Sequence, residues 1–508
     1  MQTRLGVVVM VAGMVFSTTA DAQAPRQMHA GDIASGIRRL SSVGSVLYIA
    51  AHPDDENTRF LAWAVGEKNL RAGYLSLTRG DGGQNLVGTE QDEVLGLIRT
   101  HELLAARRID GAEQFFTRAR DFGYSKSAEE TLKIWGHDAV LSDVVLAIRR
   151  FRPDVIVTRF TTNPPNHGHH TASATLAAEA FLAAADPARF PEQLKTLKPW
   201  KADRLVQNVS TWNLPPNADM SMHVKLDVGG FDPLLGRSWG EVAALSRSQH
   251  RSQGFGVASE RGPLLEYFSH LAGTQPKADL FEGLDFTWKR FPNSDGISRA
   301  VDEIFKAFDA RAPHTSIPAL LQLRDALVGL PDDNPWKFTK LREVESLVVA
   351  CAGLFVEARA ADPWGVPGNP VSVDILAVNR SPAVVQLLNV ALPDGTNVDV
   401  KTPLQPNALW RSTRQVPLAA ELPVTTPYWL RQPLEGGLYK TDDASNIGTP
   451  QAEPVWTVAF DLDVAGKRMR VTRPVVHVWT DPVRGEPSRP FEVAPPVSAT
   501  LDRSVVMV

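Results

Sequence analysis

Two short stretches hold the residues whose types and spacing point to chemistry. In VLYIAAHPDDENTRF, residues 46–60, a run of β-formers ends on His52 and is followed within four residues by Asp54, Asp55 and Glu56. In NPPNHGHHT, residues 163–171, three of the chain's twelve histidines, His167, His169 and His170, fall within four positions. Three carboxylates at one buried spot cannot all stay ionised unless a cation or a proton compensates them. His52, Asp55 and one histidine of the second cluster would supply two imidazoles and a carboxylate, a ligand set for a catalytic zinc with one position open. Such an ion acidifies water and polarises a carbonyl, as hydrolysis near neutral pH requires. Asp54 cannot easily reach the same ion as its neighbour Asp55, so it is free to act as general base. A remaining histidine would stabilise the oxyanion, and spacing leaves open which one.

Each stretch also has a plainer reading. HPDD can cap a helix N-terminus through its aspartates, and HGHH can be a polar turn. Both plain readings must hold together for the metal to vanish. His52-x-Asp54 with a distant histidine also fits the facial triad of non-haem iron oxygenases, but both clusters here lie at strand-to-helix junctions.

The elements that must carry these residues alternate. Strands are expected at Val46–Ala51, Tyr74–Thr78, Glu113–Thr117, Asp154–Phe160 and Leu205–Val209. Between them run helices such as the one marked by Leu141, Val144, Val145 and Ile148, spaced i, i+3, i+4, i+7. This alternation implies right-handed βαβ units and a Rossmann-like α/β fold, a parallel sheet with helices on both faces. Ligands bind such sheets beyond the carboxyl ends of the strands, where both clusters fall. Residues 236–350 read mainly as helix, including LREVESLVVACAGLFVEARA. Pro and Gly then crowd into ADPWGVPGNP, 361–370, as in a linker. Beyond it the period becomes two, at Val371, Val373 and Ile375 and again from Trp456 to Val464, with AGK as a hairpin turn. An immunoglobulin-like β-sandwich is expected there, with Trp410, Trp429, Trp456 and Trp479 in its core.

At these residues the chain resembles the LmbE-like, PIG-L family of zinc-dependent N-acetylglucosamine de-N-acetylases. The family's HPDDE stands intact at His52 to Glu56, and its H-x-x-H, usually H-P-D-H, is His167-Gly168-His169-His170. The resemblance implies one Zn2+ per chain on His52, Asp55 and His170, with other divalent metals able to occupy the same set. It implies Asp54 as base and His167 as the oxyanion-stabilising acid. His169 departs from the pattern, since many members carry an aspartate there that orients the first histidine of the pair. LIRTHELLAARRIDG resembles the family's R-x-x-E helix and would place Arg99 near the substrate, although Arg99 and Glu102 also suit a surface ion pair. SRSQHRSQGF resembles a late family segment and would place His250 near the site mouth. TRGDGGQN, 78–85, follows a strand, so Asp81 and its neighbours would line the crevice or form a plain turn. His101 shares a stripe with Val94, Leu97, Ile98 and Ala105 and reads as a core-edge residue.

The whole chain bounds these readings. Its 508 residues exceed one core. At 43% hydrophobic and 22% charged it has an ordinary globular composition. A net charge of −4 carries no basic footprint for nucleic acid or an anionic membrane surface. The single cysteine, Cys351, rules out an intrachain disulfide and reads as a buried thiol. MQTRLGVVVMVAGMVFSTTADAQA has the basic start, apolar stretch and A-x-A site of a secretory signal, cut after Ala22. The expected organisation is a signal peptide at 1–22, a deacetylase domain at 40–290, a helical segment at 291–362 and the sandwich at 370–508, with the natural chain continuing past Val508. The expected protein is exported, without an integral membrane anchor, and hydrolyses the N-acetyl group of an N-acetylglucosamine glycan or glycoconjugate. An amidase on a non-sugar amide and a silent glycan-binding protein are the alternatives.

Overall fold

The computed structural model describes residues 27–499 apart from 164–166, 212, 213, 216 and 293. The expected signal segment and Val508 lie outside the described residues. All five expected strands form, as β1 (Ser45–Ala50), β2 (Arg71–Ser76), β3 (Glu113–Phe116), β4 (Val155–Thr158) and β5 (Arg204–Val209). They pair in parallel in the order β3-β2-β1-β4-β5. Every residue of β1 is buried because helices cover both faces. Val46, Tyr48 and Ala50 pack with Phe60, Trp63, Leu103 and Trp239, which belong to α2 (Thr58–Gly66), α3 (Asp92–Asp110) and α7 (Trp239–Arg247). Leu47 and Ile49 face the other way, onto α5 (His137–Phe151) and α6 (Gly168–Ala183).

The chain runs outward in one direction from β1 to β2 and β3 and in the other from β4 to β5. β1 and β4 are therefore the neighbours between which the winding reverses, and a crevice opens beyond their carboxyl ends. The two histidine clusters follow these two strands.

Two further strands extend the sheet. β6 (Val224–Asp227) and β7 (Leu265–Gly273) add antiparallel strands in the order β5-β7-β6. β7 lies where the sequence reads mainly as helix. LEYFSHLAG buries Glu266 and Phe268 alternately and supplies the hydrogen bonds that the edge of β5 would otherwise lack.

Beyond this sheet, α8 (Asp295–Ala307), α9 (Ile317–Val328) and α10 (Lys337–Cys351) pack with α1 (Ala30–Arg39). Cys351 is buried, as expected. The helix stops at that residue, and LFVEARA, which reads as its continuation, is a strand, Leu354–Ala360, pairing with Pro370–Asn379. Gly353, at φ +58°, turns the chain between them. Residues 361–369 thus connect two paired strands and are not an interdomain linker. The C-terminal strands form one curled sheet instead of two separate immunoglobulin-like sheets. The long strand Lys467–Val478 joins its halves, pairing antiparallel with Thr457–Val464 and parallel with Leu354–Ala360. Ala465 and Gly466 make the expected tight hairpin, both at positive φ. Of the four tryptophans expected in this core, Trp456 is buried in it and Trp410 packs at its edge, whereas Trp429 lies elsewhere and Trp479 is half-buried against His477, outside the core.

One hydrophobic cluster runs continuously from Ile33 and Ile37 through Leu320 and Leu347 to Ile375 and Phe460. The helices and the curled sheet therefore share a core. Leu320→Ala and Ile375→Ala, both at fully buried positions, should each cost about 2–5 kcal/mol. Urea unfolding should show both variants shifting the same transition; separate transitions would mean two independent units.

Candidate metal centre

The loop after β1 is held open by its neighbours. Backbone hydrogen bonds from Leu77 and Thr78 to Ala50 and Ala51 carry the β1–β2 pairing one step past the strands. The Tyr74 hydroxyl donates to the His52 carbonyl. The His52 N–H donates to Asp55 Oδ2 at 2.7 Å, closing a turn over Pro53 and Asp54. Asp54 is forced to φ +96°, a region that non-glycine residues rarely occupy and that marks strained functional positions. The helix cap falls to Asn57, which accepts from Phe60 N–H. The aspartates are thus not N-caps and remain available.

His52 Nδ1 lies 3.1 Å from Asp55 Oδ2, and His170 Nε2 lies 3.6 Å from Asp55 Oδ1. The donor atoms of His52, Asp55 and His170 all fall within 4.8 Å of one another. The His170 ring is fixed by stacking on Phe160, with centroids 3.7 Å apart and the ring planes nearly parallel. Burial pushes the His170 imidazole down to about 4, against the pull of Asp55, so its lone pair is free at neutral pH. Burial would raise Asp55, but His170 and His52 outweigh it and hold the carboxyl well below its ordinary range. Two imidazoles and an ionised carboxylate fit a divalent cation.

A second group, His52, His167 and His169, also converges within 4.8 Å. Here, however, His52 Nε2 lies 3.0 Å from His169 Nδ1, so these two nitrogens hydrogen-bond each other. An ion on Nδ1 of His52 would leave the proton on Nε2, which would then donate to His169. Asp121 stands behind the pair, Oδ2 3.8 Å from His52 Nε2 and Oδ1 3.6 Å from His169 Nδ1. A ligating histidine commonly donates its second N–H to such a partner, which fixes its tautomer. His169 therefore serves His52, not His167 as the family pattern suggests. It is wholly buried between Phe122 and Trp135, and burial followed by His52 keeps its imidazole neutral. His167 is engaged instead with Ser125, its Nδ1 lying 3.3 Å from the amide nitrogen and 3.2 Å from the carbonyl oxygen.

Arg99 departs from expectation. It is buried beneath the loop, donating to Asp54 Oδ2 at 3.1 Å, to Pro53 O at 2.5 Å and to Gly80 O at 2.9 Å. Gly80, at φ +72°, leaves room for it; a Cβ there would lie 2.3 Å from the guanidinium. Glu102 is not its partner but accepts from Ser252 N and Oγ. Burial raises the Asp54 carboxyl, Arg99 opposes and Asp55 adds, and the group is pushed up to about 6. His101, expected at a core edge, is exposed; the buried face of α3 is Leu95, Arg99, Thr100, Leu103 and Arg107.

His250 is not at the mouth. It is fully buried, with Nε2 2.8 Å from Glu56 Oε1, and Arg107 donates to the same oxygen at 3.2 Å. Burial would raise Glu56, but these two partners bring it down to about 2. Asp81 is likewise buried and does not face the crevice. It accepts from the Tyr439 hydroxyl at 2.8 Å and from Asp121 N–H at 3.3 Å. Burial, reinforced by Asp121, pushes Asp81 up to about 7. Asp121 itself is absent from the sequence reading, although its place just beyond the end of β3 follows the rule that found His52 and His167.

Residues 47–181 match the PIG-L family, described as GlcNAc-PI de-N-acetylase. This segment is a PIG-L domain. Over 165 residues the chain is 32% identical to 1D-myo-inositol 2-acetamido-2-deoxy-alpha-D-glucopyranoside deacetylase of Geodermatophilus obscurus, covering 29% of this chain and 56% of the relative. The chain thus spans about half the length of that curated relative. Among solved structures, it is similar to N,N'-diacetylchitobiose deacetylase of Pyrococcus horikoshii at 18% identity, with a TM-score of 0.32, covering 49% of this chain and 88% of that one. It is also similar to 4-carboxy-2-hydroxymuconate hydratase of Pseudomonas putida KT2440 at 18% identity, with a TM-score of 0.31, covering 46% and 98%. Both candidate donor groups lie within the PIG-L domain, whereas His250 and Tyr439 lie outside the matched residues.

The buried position of His250 has a testable consequence. His250→Ala should remove one of the two side-chain partners of a buried carboxylate and cost about 3 kcal/mol, read as a lower urea midpoint. An unchanged midpoint would mean that Glu56 does not depend on it.

Proposed function

We propose that this chain is a zinc-dependent amidohydrolase that removes the acetyl group from an N-acetylglucosamine unit of a glycan or glycoconjugate outside the cytoplasm. The observation that carries the reading is Asp54. It is a strained carboxylate raised to about 6, set beside a two-histidine, one-aspartate donor group. A general base works best with a pKa near the working pH.

His52, Asp55 and His170 would hold the ion. When bound, zinc supplies Lewis-acid polarisation of the amide carbonyl and makes water easier to deprotonate. Asp54 takes one proton from the attacking water as its oxygen adds to the carbonyl carbon. The same carboxyl returns that proton to nitrogen as the C–N bond breaks, leaving acetic acid and an amine, which part as acetate and an ammonium once the acid's proton passes to the amine. Arg99 holds Asp54 Oδ2 at 3.1 Å and so orients the carboxylate. His167 has Nδ1 occupied at Ser125, which leaves Nε2 to hydrogen-bond the oxyanion. Its ring is neutral near pH 7, because burial and then His52 lower its pKa, so it acts as a hydrogen-bond donor and not as the acid.

Tyr124 favours a sugar over another amide. It is 78% exposed and stacks on His167 with centroids 5.3 Å apart, and an exposed aromatic face suits the apolar face of a pyranose ring. The location rests on residues 1–22, which read as an export signal. Among the described residues, no helix is long and apolar enough to cross a membrane.

Acetate release from a panel of N-acetylglucosamine glycans and glycolipids, with and without added zinc, tests the reaction. Asp54→Asn should lose about 10²–10⁴-fold in kcat and still bind one zinc, whereas His170→Ala should lose the metal. Full activity in Asp54→Asn would refute the base assignment. Because the carboxylate is the active form, kcat should fall as pH drops through about 6 and level off above it. A profile flat from pH 5 to 8 would remove Asp54 from the role.

A further inference from the structure

Residues 418–456 leave the curled sheet between Leu409–Pro417 and Thr457–Val464 and return to it. A connection of that length without strands or long helices is uncommon in a compact domain and usually functional. This one crosses to the PIG-L domain and docks on the loops that follow β2 and β3. Arg120 N–H donates to Gly437 O at 2.9 Å, Tyr439 N–H to Arg118 O at 2.8 Å, and Phe116 N–H to Gly448 O at 3.2 Å. The excursion carries its own small core of Tyr428, Trp429 and Tyr439, packed against Leu97 of α3. Into this core runs the buried guanidinium of Arg79. It donates to Pro450 O at 3.0 Å and to the Tyr428 hydroxyl at 3.1 Å and lies over the Trp429 ring at 4.6 Å.

One contact leads inward. The Tyr439 hydroxyl donates to Asp81 Oδ2 at 2.8 Å, while Asp81 Oδ1 accepts the Asp121 N–H at 3.3 Å. The Asp121 carboxylate faces the inner nitrogens of His52 and His169. Tyr439, Asp81 and Asp121 thus form a hydrogen-bonded path from the C-terminal region that ends 3.8 Å from His52 Nε2 and 3.6 Å from His169 Nδ1. All but Tyr439 lie within residues 47–181, so the PIG-L domain leaves the outer end of this path to another part of the chain.

We propose that the excursion completes the metal centre, with Tyr439 as a positioning residue that holds Asp81, and through it Asp121, in register behind His52 and His169. The proposal rests on His52, Asp55 and His170 being metal ligands. Tyr439 touches neither metal nor substrate, and its effect is carried by the orientation of the His52 ring. Partners of metal-ligating histidines act this way, and their loss weakens metal binding without removing a ligand.

The test uses the full chain with Zn2+ and Co2+ as probes. Zinc affinity is read by competition with a chromophoric chelator, ligand geometry by the visible absorption of the cobalt form, and folding by the thermal midpoint. Tyr439→Phe keeps the ring against Trp429 and deletes only the hydroxyl. It should weaken zinc binding about tenfold, the lower end for loss of such a partner, and shift the cobalt bands. Tyr428→Phe removes a hydroxyl from the same excursion without touching Asp81 and should leave both readings unchanged. Asp121→Ala should abolish the further effect of Tyr439→Phe in the double variant. Wild-type affinity and cobalt spectrum in Tyr439→Phe would overturn the proposal. Equal losses in Tyr428→Phe would also overturn it, since the effect would then be one of docking in general. If the wild-type chain binds neither ion, it is the metal-site reading that fails.

Discussion

Three consecutive carboxylates beyond β1, Glu56 buried and Asp54 and Asp55 half-buried, set the main electrostatic demand on this fold, because like charges crowded out of water must each find compensation or be protonated. The structure answers differently for each. Asp54 meets Arg99 and stays raised, at about 6. Asp55 meets His52 and His170 and is held well down. Glu56 is enclosed by Arg107 and His250 and brought to about 2. One tripeptide thus presents a carboxyl raised by burial, a carboxylate held ionised between two histidines and a carboxylate closed off by Arg107 and His250. What separates the roles is which helix or loop delivers the partner.

Those partners come from several parts of the chain. Arg99 and Arg107 lie on α3, two helical turns apart on its buried face. His250 follows α7, and His170 opens α6. The first turn of α6 fits closely: at Gly168 a Cβ would come within 2.3 Å of Ser127 O. The strain at Asp54 is maintained by this surrounding set, as strained backbone at functional sites generally is. The carbonyl of Asp54 accepts from Arg247, and its N–H donates to Glu56 Oε2 at 2.9 Å. The loop is therefore tied to α7 through the Asp54 carbonyl and to its own Glu56 through the Asp54 N–H.

The C-terminal region bears on the same centre from the opposite side. Its curled sheet shares a core with the helices α1 and α8–α10, and its long excursion buries Arg79 and Asp81 of the loop after β2. TRGDGG reads as crevice lining or a plain turn when only its neighbours in sequence are considered. In the folded chain its glycines admit Arg99 and its charged residues meet tyrosines more than 340 positions away.

By itself the sequence determined the parallel sheet, because β-rich runs alternating with helical stripes have few other solutions. It also determined which two stretches converge, because residues just past the carboxyl ends of adjacent parallel strands share one crevice. Local hydrophobic periodicity could not decide the antiparallel strand Leu265–Gly273, which forms to satisfy the edge of β5, or the switch from helix to strand at Gly353. Nor could it decide partners. Arg99 with Glu102, and His169 with His167, are the natural pairings along the chain, whereas the fold pairs Arg99 with Asp54, His169 with His52, and Asp81 with Tyr439. Residue type and spacing state which groups need compensation; only the three-dimensional path of the chain brings distant donors and acceptors within the roughly 3 Å over which a hydrogen bond acts.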